Sequence, residues 1–391
     1  MSGSASLSVP GRPKVIHLTT TDMSLDWLLA PQLLAFQAAG YEVVGMSAAG
    51  EHVAHLAELG VRHVDVPSLT RAIGPAADVR ALFELRRLLR AERPDVLHTH
   101  NPKPGVLGRI AGRLARVPVV VNTQHGLYAQ PTDRLRRKLP VYVLERVAAA
   151  FSHQELVQNQ EDVKTLVRTL KVPRRKVTWL GNGIDLARFD GERAGRAAVR
   201  QEWGVTDDDV VIGVVGRLVR EKGFAEIVGA AQLLRERGVT SPIIVIGPAD
   251  PDKRDGLDAD SLQAATALGI RFVGRRSDMP RCYAAMDVFL TATHREGFPR
   301  AAMEASASGL PIIATDIRGC RQVVDNGVTG VLVSVRDAAA LADAAAAMVA
   351  DAGGRSRMGA AATDKARKEF DQQRVIDVTL ATYARLLTAR D

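Results

Sequence analysis

Short runs of Val and Ile, almost unbroken by polar residues, alternate along the whole chain with segments of helical period, and they do so twice. KVIHLT (14–19), YEVVGMSA, RHVDVP, DVLHTH (95–100) and PVVVNTQ read as strands in the first half. DVVIGVVGRL (209–218), SPIIVIG (241–247), IRFVG (270–274), MDVFLTAT (286–293), LPIIATD (310–316) and TGVLVS (329–334) do so in the second. Runs this apolar belong to strands covered on both faces, as in a parallel sheet. Between them LDWLLAPQLLAFQAAG, DVRALFELRRLLRAERP and FAEIVGAAQLLRERG place apolar residues at helical spacing. A chain of 391 residues exceeds what one ordinary core takes up. The expected fold is therefore α/β, with two doubly wound Rossmann-like domains facing a cleft. The glycine-rich LGNGIDLARF marks the join. We expect a disordered leader over 1–13, a first domain over 14–185 and a second over 186–371. The segment FDQQRVIDVTLATYARLL reads as a helix beyond the second sheet. Ligands of such folds sit outside the carboxyl ends of the strands.

The stretch HREGFPRAAMEA (294–305) holds two carboxylates around a proline. Proline suits the first turn of a helix, so Glu296 is expected in the loop at the helix mouth and Glu304 in the second turn. Such a mouth gathers unpaired N–H groups and partial positive charge, which hold an anion. Two acceptors beside an anion site suit a ligand with both phosphates and hydroxyls. GRLVREKG (216–223) lies between an expected strand and helix and brings Arg217 and Lys222 to a strand end. A guanidinium fork and an ammonium point charge both grip phosphate. Neither GxxxxGK[ST] nor GxGxxG occurs, so a P-loop and a dinucleotide fingerprint are excluded.

The charge is uneven. Residues 71–146 carry fifteen Lys and Arg against six Asp and Glu, an excess of nine in a chain whose net charge is +8. Such a field favours an anionic partner, for example a membrane surface or a lipid-linked phosphate. Nucleic acid is not expected: aromatics are only 4%, and zinc-finger spacing and recognition-helix motifs are missing. The only cysteines, Cys282 and Cys320, build neither a disulfide framework nor a metal cluster, which fits a reducing compartment. No apolar run approaches the ~18 residues of a membrane span. A cytoplasmic protein is expected, touching the inner face of the cell membrane without crossing it.

Read in order, GRLVREKGF and FVGRRSDMPRCYAAMDVFLTATHREGFPRAAMEASASGLPIIATDIRGC resemble the donor half of the retaining glycosyltransferases of family 4. VLHTHNPKPGVLGRIAGRLARVPVVVNTQHGLY, VQNQEDV and LGNGIDL extend the resemblance into the first half, towards bacterial enzymes that build surface polysaccharides on lipid carriers. The resemblance spans roughly residues 14–390. It implies the GT-B architecture, with an acceptor-binding first domain to which a C-terminal helix (372–391) returns. By the same resemblance, the second domain would bind a nucleotide diphosphate sugar of the UDP-linked kind.

The resemblance also assigns residues. Glu296 would meet hydroxyls of the transferred sugar and Glu304 those of the ribose. Gly297, Phe298, Pro299 and Arg300 match the loop whose backbone N–H groups face sugar and diphosphate. Gly216, Arg217 and Lys222 match the loop that neutralises the leaving diphosphate, so no metal and no cofactor is expected. Gly274, Arg275 and Arg276 fall in the base-binding turn. His125, in TQHG, matches a histidine beside the transferred sugar. Asp22, His100, Asn101 and Lys103 would face the acceptor, a polyprenyl-diphosphate-linked saccharide. TTTDMSLDW lacks the Gly-Gly turn of many relatives, which leaves the role of Asp22 open. Two other readings stand beside this one: transfer to a soluble small molecule, and a sugar-nucleotide epimerase of the same fold.

Overall fold

The structure is a computed structural model that describes residues 11–70, 72, 74–100, 102–130, 133–189, 195–248 and 256–389. It divides into two compact units, Met1–Gly181 with Gln373–Asp391, and Asn182–Gln372. Unit 1 is built on seven strands: β1 (Lys14–Thr21), β2 (Glu42–Ala48), β3 (Arg62–Asp65), β4 (Val96–His100), β5 (Val119–Gln124), β6 (Gln154–Val157) and β7 (Val177–Trp179). Unit 2 has six: β8 (Ile212–Val215), β9 (Ile243–Ile246), β10 (Ile270–Phe272), β11 (Val288–Thr291), β12 (Ile312–Thr315) and β13 (Gly330–Val333). The sheet orders are β3-β2-β1-β4-β5-β6-β7 and β10-β9-β8-β11-β12-β13. Every pairing within them is parallel. Both orders reverse between their first and fourth strands, and the crevice at such a reversal is where a doubly wound sheet binds ligands.

The Val and Ile runs form the strands because helices cover both faces. All five residues of β4 and all six of β5 are buried. In unit 2, Ile244, Ile246, Phe289 and Ile312 pack into one layer, while Val245, Val288, Leu290 and Ile313 pack into the other. Alternate side chains of one strand thus serve opposite layers. The helix Gln372–Thr388 lies on unit 1, where Val375, Ile376 and Tyr383 join Val15, Phe36 and Val96 in one cluster. Arg385 fastens it further by donating to Gln154 at 2.8 Å.

Two features of unit 1 differ from the sequence reading. Strands β6 and β7 were not expected, because QELV and VTW carry too little apolar pattern. Within the basic stretch 71–146, expected to favour a membrane surface, RRLLR (86–90) sits on the helix Pro75–Glu92 with Leu89 fully in the core and Leu88 packed against it, so these leucines do not offer a lipid-facing surface. Among the described residues, no helix is long and apolar enough to cross a membrane. Cys282 and Cys320 are buried and unlinked.

Candidate active site

In unit 2 the chain leaves β8 through Gly216–Gly223 and leaves β11 through the loop that holds Glu296. Gly223 has φ +77°, and a Cβ there would lie 2.1 Å from the carbonyl oxygen of Ala292, so only glycine lets the two loops meet. His294 N donates to the Glu221 carbonyl at 2.9 Å, and the His294 ring meets Glu226 at 2.9 Å. On the far side, a Cβ on Gly319 would approach the Glu296 carbonyl oxygen to 2.4 Å. The consequence is a fixed pair: Lys222 Nζ donates to Glu296 Oε2 at 2.7 Å, with about a quarter of each side chain exposed (26% and 27%).

The helix after this loop, Arg300–Ala307, starts one residue later than expected, with Pro299 as its N-cap residue. Glu304 lies in its second turn, as expected, and is held from two sides. Arg300 Nε donates to Oε1 and the Tyr283 hydroxyl to Oε2, each at 3.0 Å. Burial and the neighbouring carboxylate push the Tyr283 hydroxyl well above its usual pKa, so it remains a donor. Phe298 packs edge-on against Phe370 with ring centroids 5.9 Å apart, and it anchors the loop to the core.

The turns beside β8 are laced by backbone. Gly216 N donates to Ile246 O and Gly247 N to Gly274 O, both at 2.9 Å. Arg217, Gly274 and Arg275 are exposed. Arg276 is engaged inside the unit: Nε and Nη2 donate to Asp278 at 2.8 Å each, and Nη1 pairs with Glu202. Of the expected base-binding turn, Gly274 and Arg275 therefore face solvent while Arg276 braces the loop. Asp-x-Asp spacings do occur. Asp209 takes the N–H and hydroxyl of Thr206 ahead of β8, and Asp258 caps the helix Ala259–Ala267 through Ser261. A third, at 250–252, lies outside the described residues.

Unit 1 carries a different arrangement at its reversal. His17 of β1 stands beside His98 of β4 in register, and His100 lies two residues on, on the same face. His17 Nδ1 meets His100 Nε2 at 3.0 Å, and His100 Nδ1 meets His125 Nε2 at 3.1 Å. His98 is bonded to the Tyr383 hydroxyl and, at 2.7 Å, to Thr123 Oγ1. Burial lowers all four rings: His17 to about 3, His125 to about 4, and His98 and His100 well below the usual imidazole range. They are neutral near pH 7, so each has one N–H. His17 Nε2 is buried without a partner. An unpaired N–H is rarer in a protein interior than an unpaired lone pair, which assigns the proton of His17 to Nδ1. His17 then donates to His100 and His100 to His125, leaving His125 with its own proton on Nδ1. The ligating nitrogens of His17, His98 and His100 lie within 4.8 Å of one another. The rings of His98 and His100 are stacked, with centroids 4.2 Å apart, and both nitrogens of His98 are hydrogen-bonded, so the cluster reads as a hydrogen-bond chain rather than a metal centre.

The remaining acceptor-side residues divide. Asp22 is buried and accepts the backbone N–H groups of Met23 and His52, each at 2.9 Å, which gives it a loop-fastening role. Lys103 pairs with Asp78 and donates to the Ala72 carbonyl. Asn101 lies outside the described residues. Sequence reasoning missed Tyr283, His294 with Glu226, and the link from His17 to His100. The period-two spacing of HTH was the available signal for the last. A depression of about 430 Å³ in unit 2, bordered by Arg196, Asp287, Pro311 and Arg355, opens at the amino ends of β11 and β12, away from Lys222 and Glu296.

Comparison with known proteins agrees with this division. "Glycosyl transferases group 1" matches residues 195–365, and "Glycosyl transferase 4-like domain" matches residues 29–183. The UDP-Gal:alpha-D-GlcNAc-diphosphoundecaprenol alpha-1,3-galactosyltransferase of Escherichia coli is 33% identical over 71% of this chain and 72% of its own. The D-inositol 3-phosphate glycosyltransferase of Kribbella flavida is 31% identical over 76% of this chain and 74% of its own. Anabaena HepE, solved with UDP and glucose, superposes with a TM-score of 0.79 at 20% identity, covering 96% of this chain and all of its own, and shows the fold. The chain belongs to the family 4 glycosyltransferases of GT-B architecture.

Proposed function

We propose that the protein is a retaining hexosyltransferase. It moves a hexose or N-acetylhexosamine from a UDP-linked donor to a polyprenyl-diphosphate-linked saccharide in surface polysaccharide synthesis, at the cytoplasmic face of the membrane. The observation that carries the donor half is the Lys222–Glu296 pair at the β8/β11 reversal. An ammonium has three donors, and Glu296 takes one, so two remain for diphosphate oxygens. Arg217, on the same loop, adds a second cation. Charge develops on the departing phosphate oxygen, and fixed cations stabilise it there without a divalent metal. Glu296, oriented by Lys222, accepts from sugar hydroxyls, and Glu304, braced by Arg300 and Tyr283, accepts from the ribose. His125, neutral and held by His100 and Gln158, stands beside the sugar and acts as no general base. The departing diphosphate accepts the acceptor's proton in a front-face route that retains configuration.

The lipid-linked acceptor rests on the relatives whose names specify diphosphoundecaprenol-linked substrates. A soluble phosphorylated acceptor is the second reading, favoured by the D-inositol 3-phosphate relatives. Turnover assays with UDP-, GDP- and dTDP-sugars, with and without a lipid-linked acceptor and with EDTA, test both. Anomeric retention is read by proton NMR. Activity abolished by EDTA and restored by manganese, or inversion at the anomeric carbon, would overturn the corresponding part.

A further inference from the structure

The helix Leu135–Ala150 is inside out. Its buried positions include Glu145 with Ala148 and Ala149, whereas Leu135, Leu139, Val143, Leu144 and Val147 are 47–66% exposed. At about 100° per residue, Val143 and Val147 lie roughly 160° around the helix from Glu145. A surface helix of a globular protein normally does the reverse. What holds it in this orientation is polar: Arg109, fully buried on the helix Pro102–Leu114, donates to Glu145 at 2.6 Å and to Glu155 of β6 at 2.8 Å. Asn122 of β5 donates to the same Glu155 at 2.7 Å. Turning the helix over to bury its leucines would expose one partner of this network and strand the others. The apolar face is thus built to point outward.

We infer that this face is a docking surface for an anionic lipid bilayer. The charge around it selects that occupant. Arg134, Arg136, Arg137 and Arg146 are exposed on the same helix and the residue before it, with Lys138 beside them, while the one carboxylate within the helix, Glu145, is buried against Arg109. A second copy of the chain would set one basic cluster against another if the helices met about a two-fold axis. A bilayer with acidic headgroups instead offers negative charge above an apolar layer, which matches basic residues flanking an apolar stripe. The helix would lie in the interface along its ~24 Å length. The geometry stands without the proposed function; only its purpose, access to a lipid-linked acceptor, rests on that reading.

The test is flotation of the full-length chain with vesicles of phosphatidylcholine alone and of phosphatidylcholine with phosphatidylglycerol, at low and high salt. Binding is expected to the anionic vesicles and to weaken with salt. A Leu139→Gln/Val143→Gln/Val147→Gln variant alters only exposed positions, and an Arg134→Glu/Arg136→Glu/Arg137→Glu/Lys138→Glu variant alters charge. Each should reduce the vesicle-bound fraction, the second by roughly a hundredfold in partition coefficient. Circular dichroism and UDP titration establish that both variants fold and keep the donor site, so failure here is separable from failure of the transferase reading. Undiminished flotation of both folded variants overturns the surface. Equal flotation with neutral vesicles overturns the charge argument. A reversible dimer in sedimentation equilibrium that the glutamine variant abolishes, without vesicle binding by the parent chain, overturns the bilayer in favour of a second copy.

Discussion

The two units share one strand order over six strands yet put opposite chemistry at its reversal. Unit 1 places three buried imidazoles and one half-buried one there, all uncharged. Unit 2 places ion pairs that remain partly open to water, Lys222 with Glu296 and Arg300 with Glu304. The topology therefore supplies a location only. What fills it is decided by which residues the strand-end loops deliver and by how deeply they are buried. Burial removes the charge from a histidine, whereas Lys222 and Glu296 pair with about a quarter of each side chain open to water.

The most damaging change to this contrast should be loss of the unit 2 pair. Lys222→Ala and Glu296→Ala are each expected to lower kcat/KM by about a thousandfold, or ~4 kcal/mol of transition-state stabilisation. The double variant should lose little more than either single one, because each leaves the other misplaced. Additive losses would show that the two groups act separately.

Acidification should strike unit 1 next. Its histidines have folded pKa values below the unfolded 6.5, so the unfolded state binds more protons as pH falls. Their neutral burial is stable above about pH 6.5, and that stability is lost as pH falls towards about 4 for His125 and about 3 for His17. Each contributes ~1.4 kcal/mol per pH unit within its window. Urea unfolding followed by unit 1 probes at pH 7 and pH 5 measures this. A flat profile would mean that the rings are hydrated and charged.

A smaller effect is expected from Tyr383→Phe, which leaves His98 Nδ1 buried without its partner and should lower stability by about 1–3 kcal/mol. The matching change in unit 2, Tyr283→Phe, removes one of two supports of Glu304. It should weaken UDP binding only several-fold, or ~1 kcal/mol, with kcat nearly unchanged. Calorimetry with UDP reads it directly.

Both sheets were largely legible because Val and Ile runs report burial on two faces without further information. Strand β6 was not. Its Gln154 and Glu155 are buried, and they are satisfied by Arg385, 231 residues away, and by Arg109, 46 residues away. Polar residues with such distant partners look like loop until the partners are known. The Leu135–Ala150 helix was hidden for a related reason, since its apolar period faces outward and Pro140 interrupts it. In the site, the Glu296/Glu304 spacing and the Lys222 loop could be read locally. The brace from Tyr283 could not, because it comes from a neighbouring helix. The histidine chain was half visible: HTH announces one face, but His17 joins it only through strand register.

The return of Gln372–Thr388 to unit 1 bears on how the molecule is made. Val375, Ile376 and Tyr383 complete a cluster begun by Val15, and ribosomes synthesise them only after all of unit 2. During translation, unit 2 can close its own core while unit 1 still has a gap over β1 and β4. The half that starts emerging first is thus the last to finish, and a stalled chain lacking residues 373–389 would display that gap to chaperones.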